Sequence, residues 1–131
     1  MSSLESVFLE IRRILEEDSE GFTAKKEYID SQAKAKKPGY HLFGSRQVSV
    51  MGRNPQLIYL GGVIQQKNYV SFYLSAAYSH PEILQKVSDK LREFLKGKSC
   101  FNINRLAPNI FCDIEEAHRA GIENYRSLGW V

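Results

Sequence analysis

The sequence predicts an α+β fold, a single domain in which an antiparallel sheet is covered on one face by helices from the two ends of the chain. Three observations predict it. Strand-like segments gather in the middle of the chain and are joined by tight turns, which suits antiparallel pairing. Amphipathic helical patterns lie outside that region, and segregated helices and strands are the mark of this class. The densest β-branched and aromatic content is Leu57–Tyr78, LIYLGGVIQQKNYVSFYLSAAY, which reads as two strands joined at Lys67-Asn68.

The first helix is expected from Ser3 to Glu17. Leu4, Val7, Phe8, Ile11, Ile14 and Leu15 fall at three- and four-residue spacing and form one apolar stripe. Ser2 or Ser3 can cap it, and Ser2 with Glu5 fits a capping box. Phe22–Ile29 reads as a strand. Asp30–Lys37 is polar and reads as a loop, and Pro38-Gly39 as turn punctuation. Tyr40, Leu42, Val48 and Val50 alternate with polar residues, which predicts one broken strand or two short ones parted at Gly44-Ser45.

Met51–Gln56 is a loop, and the hairpin follows. Val70, Phe72, Leu74 and Ala76 alternate with Tyr69, Ser71, Tyr73 and Ser75, giving an apolar face and a hydroxyl-rich face. The first strand of the hairpin is apolar on both sides, so it is expected to be central. Its Gly61-Gly62 pair points to a bulge or to close approach of something to the backbone. Pro81 starts a short helix, and Ser88 caps another that buries Leu91, Phe94 and Leu95 and stops at Gly97. Lys98–Ile103 reads as a strand. Pro108 opens a long last helix with Ile110, Phe111, Ile114, Ala117, Gly121 and Tyr125 inward, after which Trp130-Val131 packs back on the body.

At 131 residues, 43% hydrophobic and 25% charged, the composition is that of an ordinary globular domain. A net charge of +3 is too mild for a nucleic-acid partner, although Lys25–Arg46 is locally basic and is expected to be a solvated region. No secretory leader pattern and no apolar run of about 20 residues is present. A cytoplasmic location without a membrane partner is therefore expected. Two cysteines, Cys100 and Cys112, make neither a disulfide framework nor zinc spacing.

No phosphate loop, dinucleotide fingerprint, nucleophile elbow or paired-carboxylate motif occurs, so the expectation leans away from an enzyme. Lys98 near Cys100 raises the possibility of an activated thiol, against which stands the tendency of cysteine to be buried. Cys112 falls on the apolar side of the last helix. His118 and Glu115 are a tight pair on that helix, and His41 and His80 stand apart from them. Glu16, Glu17, Asp18 and Glu20 crowd the end of the first helix, where carboxylates oppose the helix dipole; Lys25 and Lys26, a cation, or simple exposure would each account for them.

A further candidate is the hydroxyl-rich face of the hairpin. Tyr59, Tyr69, Ser71 and Tyr73 beside Gly61 supply the aromatic rings and few polar groups of a small-ligand wall. Lys98, with Lys67 and Arg105, would add positive charge for an anionic ligand. The competing reading is an ordinary solvent face of a one-sided sheet.

The run Gly61-Gly62-Val63, Gln66–Leu74, Tyr78, Pro81–Leu84 and Lys96–Asn102, together with Pro38-Gly39-Tyr40, resembles the YdhG-like domain-of-unknown-function family over about residues 38 to 127. The resemblance implies a curved antiparallel sheet packed on terminal helices, a fold similar to that of frataxin, and an association of one relative with iron delivery. Two functional expectations result. The first is a non-enzymatic domain, monomer or homodimer, that binds a small molecule or a protein on its sheet face. The alternative is an iron chaperone using the Glu16–Glu20 carboxylates.

Overall fold

The structure, a computed structural model, describes residues 4–30, 35–49 and 52–131. Helix α1 spans Leu4–Glu17; β1 Thr23–Asp30; β2 Ala35–Val48; β3 Gln56–Gln65; and β4 Val70–Leu74. After them come α2 (Ser75–Ser79), a 3₁₀ segment (Pro81–Lys86), α3 (Asp89–Arg92), β5 (Leu95–Lys96), β6 (Cys100–Ile103) and α4 (Ile110–Ser127). The strands form one antiparallel sheet in the order β1-β2-β3-β4-β6-β5, with β3 central as expected. This is the α+β architecture that the segregated patterns predict.

The apolar stripe of α1 buries Val7, Phe8, Ile11, Ile14 and Leu15. Those side chains join Val63, Val70, Phe72, Leu74, Phe101 and Ile103 from the sheet in one core. Helix α4 lies against α1 and the same sheet face and buries Ile110, Ile114, Ala117, Gly121 and Tyr125. Gly121 lets it close on the sheet: an added Cβ would stand 2.9 Å from Leu74 Cδ1 and 3.5 Å from Ala76 Cβ.

A bulge in β3 decides which residues face that core. Leu42 pairs with Gly61 but Phe43 with Tyr59, so one step on β2 spans two on β3 and Leu60 is the extra residue. Alternation is reset there. Ile58, Leu60 and Val63 all join the core, whereas uninterrupted alternation would send Val63 to the side opposite Leu60.

Several expectations are corrected. Pro38-Gly39 is not a turn but lies within β2. Glu27 pairs with Pro38 and Lys25 with His41, so the ladder is irregular beside this proline, where a strand tolerates its missing N–H. The loop expected over Asp30–Lys37 shrinks, since β2 begins at Ala35; residues 31–34, like Ser2, Ser3, Val50 and Met51, lie outside the described residues. The second hairpin strand stops at Leu74 rather than Ala76, because Ser75–Ser79 turns into a helix whose Ala76 and Ala77 are buried.

Ser88 does cap α3, its hydroxyl accepting from the Leu91 amide at 3.1 Å. That helix is only four residues long. The chain then enters the sheet at β5, with the Phe94 carbonyl accepting from the Asn102 amide at 2.9 Å. Gly97, at φ +71°, therefore serves the β5–β6 turn rather than a helix end. Gly129, at φ +75°, does end α4.

Candidate functional site

The face of the sheet away from the helices carries the alternate side chains. Register places Ile64 beside Ser71, Ser71 beside Asn102, Gly62 beside Tyr73 and Tyr73 beside Cys100. The Asn102 side-chain oxygen Oδ1 accepts from the Ser71 hydroxyl at 3.1 Å and from the Cys100 thiol at 3.2 Å. Farther along, His41 Nδ1 and the Tyr59 hydroxyl are hydrogen-bonded at 2.8 Å. This pair folds over Gly62, where a Cβ would meet His41 Nδ1 at 2.3 Å and the Tyr59 hydroxyl at 2.5 Å. Burial and the nearby Lys25 ammonium lower the His41 pKa, so its ring is neutral near pH 7.

Tyr59, Ser71 and Tyr73 are thus on one face. Gly61 is not on it. The bulge turns Gly61 toward the helices, where its position for a Cβ is 3.7 Å from His118 Nδ1, and Gly62 takes the place expected for it. Ser71 is buried rather than solvent-facing. Tyr69 lies just ahead of β4, its carbonyl accepting from the Gln66 amide at 2.9 Å. Ser75 has left the face altogether for α2. Lys98, in the β5–β6 turn, holds its Nζ 5.4 Å over the ring of Tyr78. Lys67 is in the exposed β3–β4 turn, and Arg105 stacks over Phe94 at 4.5 Å.

Beyond Tyr59 the face runs into a cleft of about 900 Å³. Its origin is topological. β2 pairs with β3 on one side as far as Gln56, whereas on the other side β4, among the described residues, pairs only with Gly61–Gln65. Ser75, Tyr78 and Ser79 of α2 and Trp130 of the chain end line the trough together with Gln56–Tyr59. Phe43 and Tyr59 form one wall; Tyr78, His80, Tyr125 and Trp130 form the other; Arg53 and Ser49 stand at the β2–β3 connection. Tyr125 and Trp130 stack at 5.3 Å, and His80 meets Trp130 edge-on at 5.7 Å. The Tyr125 hydroxyl lies 3.1 Å from Ser75 and 3.0 Å from Ser79 oxygen, forming a hydroxyl cluster. Arg46 donates to the Gly129 carbonyl at 2.8 Å and so fixes the chain end that carries Trp130.

Sequence periodicity finds Tyr59 but not these partners, because Phe43, His80, Tyr125 and Trp130 come from distant segments. No protein-family model matches the chain, and no curated protein or solved structure matches it. The site therefore has to be interpreted from its own chemistry.

The carboxylates at the end of α1 are engaged by arginines. Arg12 pairs with Glu16 at 3.0 Å, Arg13 with both Glu10 and Glu17, and Arg119 of α4 with Asp18 at 3.6 Å. These guanidinium groups offset the clash with the helix dipole that the sequence poses. Glu17, Asp18, Glu20 and Glu123 share a shallow concavity of about 520 Å³ with Arg119 and Arg126. Among the described residues, no three His, Cys, Asp or Glu side chains converge as metal ligands.

His118 is far from the solvent face expected of a ligand paired with Glu115. It is 1% exposed, packed under Gly61, and burial holds its pKa down to about 4. Glu115 instead pairs with Arg119 at 2.9 Å. Cys112 is exposed rather than in the core, whereas Cys100 is half-buried. Burial pushes the Cys100 thiol pKa up, against the pull of Ser71 and Tyr73, so it lacks the thiolate character of a nucleophile. No helix among the described residues is long and apolar enough to cross a membrane.

Proposed function

We propose that this protein is a binding domain whose small-molecule ligand sits in the aromatic cleft at the end of the polar sheet face. One observation carries the proposal. Side chains from separate parts of the chain converge on a concavity of about 900 Å³ beside β3. Ligand sites are concave, largely apolar and aromatic, fall roughly between 300 and 1,000 Å³, and hold a few placed polar groups. Here the rings of Tyr59, Tyr78 and Trp130 supply the walls, and the hydroxyls of Ser75 and Ser79 and the Arg53 guanidinium supply the polar groups. The raised Cys100 pKa and the engaged carboxylates of α1 give less support to catalysis or to iron delivery.

A small-molecule library screened by ¹H–¹⁵N NMR tests this directly. The protein has one tryptophan, so the Trp130 indole N–H gives a single reporter inside the cleft. Binding should move that signal, and Tyr59→Ala should weaken it. Hits that move Tyr73 and Asn102 while leaving Trp130 still would put the site on the sheet face instead. A library without a hit on either would end the proposal.

A further inference from the structure

We infer that the cleft selects planar organic anions: an aromatic ring bearing a carboxylate or a similar acidic group. The inference rests on the cleft being a ligand site and adds the class of ligand. Two independent features of the lining lead to it.

The first is charge. Among the described residues that line the cleft, Arg53 is the permanent cation and none is a carboxylate. The rim reinforces this sign. Lys25 holds its Nζ 5.0 Å over the Phe43 ring, and Lys98 lies 5.4 Å over the Tyr78 ring, each cation thus sitting on an aromatic residue of the cleft wall. In a chain of 18 basic and 15 acidic residues, a lining of one sign departs from the mixed surface elsewhere, such as the concavity where four carboxylates and two arginines face one another. A guanidinium is suited to this task, because its planar fork can grip both oxygens of a carboxylate. Arg53 is exposed, and the Ser49 hydroxyl donates to its carbonyl.

The second feature is shape. Tyr125 and Trp130 are stacked with their planes 28° apart, and His80 is set edge-on to both. Tyr78 is 66% exposed beside them. Tyr125 is buried and backs Trp130, so the rings open to a guest are the partly exposed Trp130 and His80 and the exposed Tyr78; flat rings favour a flat guest, which can stack on or meet them edge-on. A guest that carries both a ring and an anionic group matches a lining that holds both aromatic rings and the Arg53 guanidinium.

The test uses three probes with one ring system: naphthalene-2-carboxylate, its neutral primary amide, and the cationic 2-naphthylmethylammonium. Each is titrated while the Trp130 indole N–H is followed. The carboxylate should bind at least tenfold more tightly than the amide, and the ammonium most weakly. In Arg53→Gln, the carboxylate should fall to the level of the amide while the amide is unchanged; an unaltered thermal midpoint verifies that the variant is folded. Equal binding of acid and amide by the unaltered protein overturns the charge selection but leaves the cleft a ligand site. A preference that survives Arg53→Gln overturns the role of Arg53. If none of the three probes moves Trp130, the planar-ring inference fails, and the library screen then decides separately whether the cleft binds anything.

Discussion

At the scale of single residues, buried polar groups set the response of this protein to pH. His118 is enclosed between α4 and β3 with neither ring nitrogen hydrogen-bonded among the described residues. Asp18 favours its protonation and Arg119 opposes it, but burial dominates and brings the pKa from an ordinary 6.5 to about 4. The unfolded chain therefore takes up a proton below about pH 6.5 that the folded chain refuses. The His118 contribution is complete above pH 6.5 and is lost as pH falls toward 4, in the worst case by roughly 3 kcal/mol at about 1.4 kcal/mol per pH unit. His41 acts in the same direction. Urea unfolding at pH 7.5 and 4.5 should show a gap in stability that narrows in His118→Leu; an equal gap in both proteins would assign the acid sensitivity to other groups. The cysteines give a second residue-level expectation. Iodoacetamide at pH 7.5, followed by peptide mass mapping, should modify exposed Cys112 about an order of magnitude faster than half-buried Cys100.

At the scale of elements, the orientation of α1 and the β3 bulge are the features most open to test. Ile11 is fully buried and Leu9 is 49% exposed on the same helix. Ile11→Ala should cost about 2–5 kcal/mol in chemical denaturation, and Leu9→Ala less than about 0.5. Similar losses for the two would mean that α1 is rotated on the sheet. At the bulge, Gly62→Ala places a methyl against His41, Tyr59 and the Tyr40 carbonyl, 2.9 Å away. We expect a loss of about 1–3 kcal/mol. Adding Tyr59→Phe should recover part of it by removing the hydroxyl from the crowded position, while the backbone contact remains. An additive double variant would show that the tyrosine does not share the space above Gly62.

At the scale of the whole molecule, one core joins the terminal helices to β2, β3, β4 and β6 of the sheet. Side chains from α1, β2, β3, β4, α2, α3, β6 and α4 belong to a single buried cluster, and Trp130 packs against it from the chain end. Such a body should unfold in one step. Far-UV circular dichroism and Trp130 fluorescence, recorded across the same urea gradient, should give coincident midpoints; an earlier fluorescence transition would mark the chain end and its cleft as a separately melting unit. The same arrangement explains what could be read in advance. The α1 stripe, the Val70–Leu74 alternation and the Ser88 cap are local patterns with one structural solution, and each appears where the sequence places it. Pro38-Gly39 and Gly97 carry turn chemistry that strands and hairpins also use, and there the ladder of neighbouring strands prevailed.

The sequence by itself determined the class of fold, the central place of the Leu57–Gln65 strand and the apolar faces that meet in the core. All of these follow from periodicity, which the chain carries locally. Which face Gly61 and Gly62 serve was left to the tertiary structure, because a single extra residue in the ladder reverses every side chain beyond it. The cleft was left to it as well. Tyr59, His80 and Trp130 are separated by long stretches of chain, and only the early end of β4, the turn into α2 and the return of the chain end bring them around one space.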